Sequence, residues 1–200
     1  MGVFAAPRLL LRPLEAYRRA STAFPMGIAF GTCVVKGSAS DGVCQKVVEE
    51  KVVMDGRRNI AFAMFSGAYL GCCQHIIYNV LFTRVFGSGF CTATVVKKVV
   101  ADGLVHVPVV YLPLYYTFEN GMLHGAYPYD SLLKYKKEFF DCMVPYWSMW
   151  TFFHFANFKF TPVELRIPLI ACVSFVWLVV LSFVSHRSHH DAQPQLLEAK

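Results

Sequence analysis

Residues 147–184 read WSMWTFFHFANFKFTPVELRIPLIACVSFVWLVVLSFV. The first part of this stretch is rich in aromatic side chains and begins with Trp147 and Trp150. Its last part, residues 167–184, carries no charged side chain. Tryptophan and tyrosine gather at the level of lipid headgroups, and roughly 20 apolar residues cross the hydrocarbon as a helix. The stretch therefore predicts an aromatic segment at the membrane surface that leads into a membrane span.

The composition also indicates a membrane protein. Of the 200 residues, 56% are hydrophobic and 16% are charged, whereas soluble domains have about 45–50% apolar and about 25% charged residues. The apolar residues come in long runs, so an integral membrane protein is expected. The net charge is +6, but lysine and arginine are spread over the segments between these runs. We therefore expect anionic lipid headgroups or an anionic solute as partners, and no nucleic acid.

The seven cysteines include no Cys-x-x-Cys pair, and most lie inside apolar runs, where cysteine behaves as a small hydrophobe. No disulfide framework, metal site or cofactor is expected. The histidines at 186, 189 and 190 could bind a metal weakly, but a solvated tail explains them better.

The chain divides into a basic arm, residues 1–20, a single integral-membrane helical domain, residues 21–185, and a polar tail, residues 186–200. The arm carries four arginines opposed by only one acidic residue, Glu15. Such an N-terminus resembles a mitochondrial targeting sequence, although basic ends are also common on membrane helices.

The apolar runs predict an all-α bundle of about four transmembrane helices. We expect spans near residues 24–52, 60–83, 95–118 and 167–184, the first bent or weakened near Gly37. The third contains two prolines and should be kinked. The aromatic segment before the last span, near residues 139–158, is expected to be a helix that lies in the interface or is partly inserted.

Ionisable residues recur at every fourth position of the third span, at Lys98, Asp102 and His106. This spacing puts the three side chains on one face of a helix. An ionisable group in hydrocarbon needs a partner or a wet cavity, and it marks a functional site by default. The stripe predicts either the wall of an aqueous path or a hydrogen-bonded network inside a dry bundle, with Lys98 reaching the surface.

Other polar candidates lie in the first two spans. Asp41 and Gln45 are one helical turn apart in the first, and His75 and Tyr78 lie in the second. His75 could titrate near neutral pH, but a hydrogen bond between helices is the preferred interpretation. The patterns Gly27-x-x-x-Gly31 and Gly67-x-x-x-Gly71 offer smooth surfaces for contact within the chain or in a dimer.

An ordered set of residues resembles the Mpv-seventeen / peroxisomal membrane protein twenty-two family of small multi-span organelle proteins. The set comprises Asp41, Gln45, Arg57, Arg58, Gly71, His75, Tyr78, Lys98, Asp102, Pro108, Trp147, Trp150, Asn157, Phe158, Pro162, Arg166 and Trp177. The chain departs from the family pattern at Gly103, Thr151 and His154, where the family has Gln, Pro and Gln. The resemblance implies residence in the mitochondrial inner membrane or, alternatively, in the peroxisomal membrane.

No nucleophile elbow, phosphate-binding loop, dinucleotide fingerprint or metalloprotease motif occurs in the sequence, so we expect no catalytic residue and no enzyme activity. The family resemblance implies a channel or transporter-like pore for small solutes. The alternative is a non-conducting scaffold protein of the inner membrane. A water-filled path along Lys98, Asp102 and His106 would favour the pore, whereas a dry bundle would favour the scaffold. The solute, the gating, the membrane orientation and any homo-oligomer are left open.

Overall fold

In the computed structural model, which describes residues 8–176, every regular element is a helix and no strand occurs in that range. The all-α fold class is thus confirmed. Within residues 8–176, seven helices follow one another: α1 (Arg8–Ala23), α2 (Pro25–Val43), α3 (Gly56–Phe86), α4 (92–124), α5 (Pro128–Lys137), α6 (Phe139–Phe160) and α7 (166–176). A π-helical turn, Cys44–Val48, extends α2, and a short 3₁₀ turn, Val163–Leu165, precedes α7.

One helix of residues 8–176, α3, is both long and apolar enough to cross a membrane. The predicted last span is described only as far as residue 176. Trp177 and the predicted tail, residues 186–200, lie outside the described residues. The aromatic segment predicted near 139–158 is helical and corresponds to α6.

The chain forms two compact units, Met1–Ile77 with Val163–Lys200, and Tyr78–Pro162. In the first unit, α2 runs antiparallel to the first half of α3, and two glycines of α3 permit the close approach. A Cβ atom added at Gly71 would lie 2.8 Å from the carbonyl oxygen of Ala29 and 2.8 Å from Cα of Phe30. One added at Gly67 would lie 2.5 Å from a methyl group of Val34. The Gly67-x-x-x-Gly71 surface thus packs within the chain.

We expect Gly71→Ala to destabilise the protein by about 1–3 kcal/mol, because the new methyl group meets backbone atoms that cannot rotate away. Gly31→Ala is the matched control, since a Cβ added there has no neighbour within 4 Å. Alanine also favours the helix by about 1 kcal/mol over glycine, so the control should melt no lower than wild type. Thermal unfolding in detergent compares the two. Equal melting temperatures would contradict the close α2–α3 contact.

In the second unit, α4 carries most of the contacts. Its middle part, Asp102–Tyr111, is π-helical and contains Pro108, which has no N–H to donate to the preceding turn. The wider turn accommodates this proline, and α4 continues to His124. Helix α5 folds back along the second half of α4, and the hydroxyl of Tyr135 donates to the carbonyl of Pro108 at 2.8 Å.

Helix α6 lies along the first half of α4. The indole Nε1 of Trp147 donates to the carbonyl oxygen of Gly103 at 2.9 Å. The ring of Trp147 comes within 3.5 Å of the position that a Cβ at Gly103 would take. At the far end of α6, Lys159 donates to the carbonyl of Phe90 at 2.7 Å. These contacts make the two helices antiparallel and place the aromatic face of α6 against Asp102.

Candidate functional site

The carboxylate of Asp102 lies at the centre of the second unit and is 1% exposed. Its Oδ1 accepts a hydrogen bond from the hydroxyl of Tyr78 at 2.7 Å and pairs with Nδ1 of His106 at 2.7 Å. Its Oδ2 accepts a hydrogen bond from the hydroxyl of Tyr146 at 2.5 Å. Helices α3, α4 and α6 each contribute a partner, so the carboxylate ties the three helical segments of this unit together.

A second imidazole approaches the same carboxylate from α6. Nε2 of His154 lies 3.6 Å from Oδ2 of Asp102, and His154 is 2% exposed. Its ring is stacked between two aromatic rings of its own helix, Trp150 at 5.3 Å and Phe158 at 5.9 Å between centroids. Tyr78 meets it edge-on at 5.5 Å. The imidazole is therefore fixed in orientation, with one nitrogen directed at Asp102.

Asp102 is almost completely shielded from solvent, so its charge depends on these partners. A buried carboxylate without hydrogen bonds or a positive charge is strongly destabilising, whereas two phenols and two imidazoles compensate it well. Lys98, one helical turn before Asp102 on α4, is 2% exposed and adds a cationic side chain to this part of the unit. Within residues 8–176, no three histidine, cysteine or acidic side chains are grouped so that they could hold a metal ion.

The structure brings together four of the residues that the sequence singled out, Tyr78, Lys98, Asp102 and His106, since all four are buried in the second unit. Two further members, Tyr146 and His154, were not among the sequence candidates. The available signal was their helical spacing, since Tyr146, Trp150 and His154 recur every four residues and share one face of α6.

Asp41 and Gln45 belong to a separate cluster in the first unit. Asp41 is 5% exposed and its Oδ1 forms an ion pair with Nε of Arg58 at 2.9 Å. The same guanidinium pairs through Nη1 with Glu49 at 2.7 Å. Oδ2 of Asp41 accepts hydrogen bonds from Gln45 at 2.7 Å and from Asn59 at 3.1 Å. The cluster joins the end of α2 to the start of α3.

Gln45 also fixes the loop between these helices. Its Oε1 accepts from the backbone N–H of Asp55 at 2.6 Å, and its Nε2 donates to the Asp55 carbonyl at 3.2 Å. Asp55 in turn caps α3, because its carboxylate accepts from the backbone N–H of Arg58 at 3.1 Å. Of the two arginines named from the sequence, Arg58 belongs to this cluster and is buried, whereas Arg57 is exposed.

Glu49, which follows the π-helical turn at the end of α2, also contributes a charge to this cluster. Partial burial by itself would raise the pKa of Glu49, but hydrogen bonds and charges from Lys51 and Arg58 outweigh it and hold this pKa below its ordinary value. The sign of the pH dependence follows from this direction. Glu49 stabilises the folded state above the ordinary pKa of a glutamate, and the contribution is lost as the pH falls through the lowered value.

The remaining signature residues have other positions. Gly71 lies at the α2–α3 contact, and His75 is half-buried in the first unit. Phe158 and Asn157 are each 1% exposed, and the ring of Phe158 meets Tyr78 edge-on at 5.1 Å. Pro162 is exposed after the end of α6, and Arg166 is buried at the start of α7.

Known membrane proteins are similar to this chain over most of its length. The model of the Mpv17 / PMP22 family matches residues 121–182. The mitochondrial inner membrane protein Mpv17 of Bos taurus is 27% identical over 86% of this chain and 97% of its own length, and that of Homo sapiens is 27% identical over the same shares. The peroxisomal membrane protein PMP22 of Arabidopsis thaliana is 26% identical over 84% of this chain and 87% of its own length. No solved structure matches the chain significantly.

Proposed function

We propose that the chain, whose residues 121–182 match the model of the Mpv17 / PMP22 family, forms a channel or transporter-like pore for small solutes in an organelle membrane. The family resemblance drawn from the signature residues is confirmed. The expectation of a membrane protein is confirmed as well, since the relatives are named as membrane proteins. That the protein conducts solutes is our proposal.

The observation that carries the proposal is the set of ionisable side chains on α4. Lys98, Asp102 and His106 face the interior of the second unit, and His154 joins them from α6. Ionisable residues at membrane depth face a bundle interior or a water-filled cavity and mark the routes of ions and protons. The carboxylate is enclosed by its partners, and we interpret this enclosed arrangement as the closed state of the proposed pore.

We propose four spans for the bundle, formed by α2, α3, α4 and the helix that begins at residue 166. At a rise of about 1.5 Å per residue, α2 with its π-helical turn is about 36 Å long and α4 about 50 Å, and both lengths exceed the hydrocarbon thickness of about 30 Å. Helix α6 contacts α4 at the level of Asp102 through Tyr146 and Trp147. These contacts support the partly inserted alternative for the aromatic helix.

For the location we propose the mitochondrial inner membrane, with the peroxisomal membrane as the alternative. The basic N-terminal arm supports the first, and the names of the Mpv17 relatives agree with it. The name of the Arabidopsis thaliana relative agrees with the alternative. Imaging a C-terminal fluorescent fusion together with markers for the two organelles distinguishes them.

A second function, a non-conducting structural role, has its own support. The carboxylate of Asp102 is fully buried and accepts hydrogen bonds from two tyrosines and a histidine of its own unit. A network satisfied in this way is sufficient to hold helices together without any conduction. The pore and the scaffold differ in whether the folded protein conducts.

In planar bilayers, purified wild-type protein is expected to give discrete current steps that detergent without protein does not give. Lys98→Gln removes a positive charge beside the path, so under a salt gradient the reversal potential should move toward greater cation preference. The melting profile of the same preparation serves as the control for folding. Folded protein that carries no current would contradict the pore and support the structural role.

A further inference from the structure

An apolar groove lies on the surface of the second unit, between α4 and α6. It has a volume of about 260 Å³ and is lined by Val99, Val100, Gly103, Leu104, Trp147 and Thr151. Gly103 adds no side chain to it, and a Cβ at this position would come within 3.5 Å of the ring of Trp147. The indole also donates to the carbonyl oxygen of Gly103 at 2.9 Å, which fixes one wall. The contact between the two helices therefore shapes the groove.

The groove opens onto a surface of the kind that faces lipid. Val100 and Leu104 in its wall are about half exposed, and Phe152, the neighbour of Thr151 on α6, is 75% exposed. On a membrane protein, exposed apolar side chains of this size contact the hydrocarbon of the bilayer. The apolar molecule that meets this groove is therefore the acyl chain of a lipid.

The end of the groove at which α4 begins carries positive charge. The ammonium group of Lys159 lies there, since it donates to the carbonyl of Phe90 at 2.7 Å and to the hydroxyl of Thr92 at 3.3 Å. A lysine has three donors, so one remains for a ligand. Lys97 is exposed and precedes Val100 by three residues, which places both on one face of α4. Helical side chains lean toward the N-terminus, so Lys97 is directed toward the start of α4.

The chain around the groove contains no acidic residue that would neutralise these lysines. Residues 78–101 and 147–162 include four basic residues and no acidic one, and the basic residues are Arg84, Lys97, Lys98 and Lys159. The next acidic residue, Asp102, is 1% exposed and is bonded to Tyr78, Tyr146 and His106. The charge at this end of the groove therefore complements an anion.

The dimensions along α4 suit a phospholipid. At a rise of about 1.5 Å per residue, the groove extends from about 10 Å to about 18 Å beyond the start of the helix at Thr92. The hydrocarbon of one leaflet is about 15 Å thick, half of the whole core. A lipid whose headgroup lies at the level of Thr92 therefore places the lower part of its acyl chain in the groove, beside Trp147.

We propose that this groove binds one acyl chain of an anionic phospholipid, whose phosphate pairs with Lys97 near the start of α4. Lys159 adds to the local positive charge. Basic groups beside a cleft between membrane helices are a recognised means of holding anionic headgroups. The site rests on the proposed placement of α4 across the bilayer, and it goes beyond the pore because lipid binding on this surface requires no conduction.

The test follows the fluorescence of Trp147 in the full-length protein in detergent. Trp150→Phe with Trp177→Phe leaves Trp147 as the single tryptophan. The probe is a phosphatidylglycerol with brominated acyl chains, since bromine quenches tryptophan only on close approach. We expect saturable quenching, with half-saturation at a concentration about fivefold or more below that of phosphatidylcholine with the same chains. One lysine near a lipid surface changes the affinity for anionic lipid by about this factor.

Variants separate the two parts of the site. Lys97→Gln should raise the half-saturation of phosphatidylglycerol about fivefold and leave that of phosphatidylcholine unchanged. Val100→Phe with Thr151→Phe narrows the groove from both helices and should abolish saturable quenching by either lipid. Lys136→Gln, at an exposed lysine of α5, and Val109→Phe, at an exposed valine of α4 outside the groove, are the matched controls and should change neither value. Melting profiles confirm that each variant is folded.

Several results would overturn the site. Equal half-saturation for the two lipids, or an unchanged preference in folded Lys97→Gln, would refute recognition of an anionic headgroup. Quenching without saturation would refute the groove, as would saturable quenching retained in the folded narrowed variant. Full competition by inorganic phosphate would assign the site to a free anion, and absence of quenching in a dimeric protein would assign the groove to a second copy of the chain. Lipid binding by folded protein that carries no current would refute the pore alone.

Discussion

Replacing Asp102 by asparagine is expected to lower the free energy of unfolding by roughly 3–5 kcal/mol. The carboxylate receives hydroxyl groups from Tyr78 and Tyr146 and an imidazole nitrogen from His106. An asparagine amide has one oxygen and an NH₂ group, so a donor would face a donor in the same space. The negative charge that these donors surround would also be lost. Removal of one member of a buried charged group is among the most destabilising of single substitutions.

The measurement combines thermal unfolding and the reversal potential on one preparation. Asp130→Asn is the matched control, because Asp130 is exposed in the first turn of α5 and should contribute less than about 1 kcal/mol. Tyr78→Phe removes a single donor to a charged carboxylate and should cost about 1.5–3 kcal/mol. A stable Asp102→Asn protein with altered selectivity would mean that the carboxylate lines a wet path. A stable protein with unaltered selectivity would contradict both roles of Asp102.

The sequence predicted those features of this region that depend on local periodicity. A spacing of four residues puts Lys98, Asp102 and His106 on one helical face whatever the rest of the chain does. The apolar runs likewise predicted helices, because only helices satisfy the backbone of a single segment in lipid. Both predictions follow from neighbouring residues alone.

The partners of Asp102 depend on tertiary contacts and could not be predicted in the same way. Tyr146 and His154 are separated from Asp102 by more than 40 positions, and no local pattern joins them to it. Their meeting requires the antiparallel placement of α6 on α4, which rests on the contact of Trp147 with Gly103. In the sequence, Gly103 was notable only as a departure from the family pattern. In the structure, its lack of a side chain leaves room for the indole ring of Trp147.

Which of the two neighbouring arginines, Arg57 or Arg58, is buried could not be predicted from the sequence. Successive residues of a helix point about 100° apart, so a register difference of one residue decides which arginine is buried. The register here is set where α3 begins, by the cap that Asp55 provides and by the bonds of Gln45 to the same loop. Neither contact has a pattern in the sequence that distinguishes the two arginines.

This difference between neighbouring arginines gives the other large expected effect. Arg58→Leu should lower the free energy of unfolding by roughly 3–5 kcal/mol, because Asp41 would keep its charge in a site where it is 5% exposed. Glu49 would lose the same partner. Arg57→Leu is the matched control, as it changes the same residue type one position earlier on an exposed face, and should change the stability by no more than about 0.5 kcal/mol.

A double variant identifies the cause of this loss. If the unpaired charge of Asp41 is responsible, Asp41→Leu together with Arg58→Leu should recover part of the stability, since apolar replacement of both members of a buried pair is often nearly neutral. Thermal unfolding of the three variants in one detergent gives the comparison. Equal losses for Arg57→Leu and Arg58→Leu would mean that the cluster contributes nothing specific. A double variant no more stable than Arg58→Leu would assign the effect to the remaining contacts of the guanidinium, with Glu49 foremost.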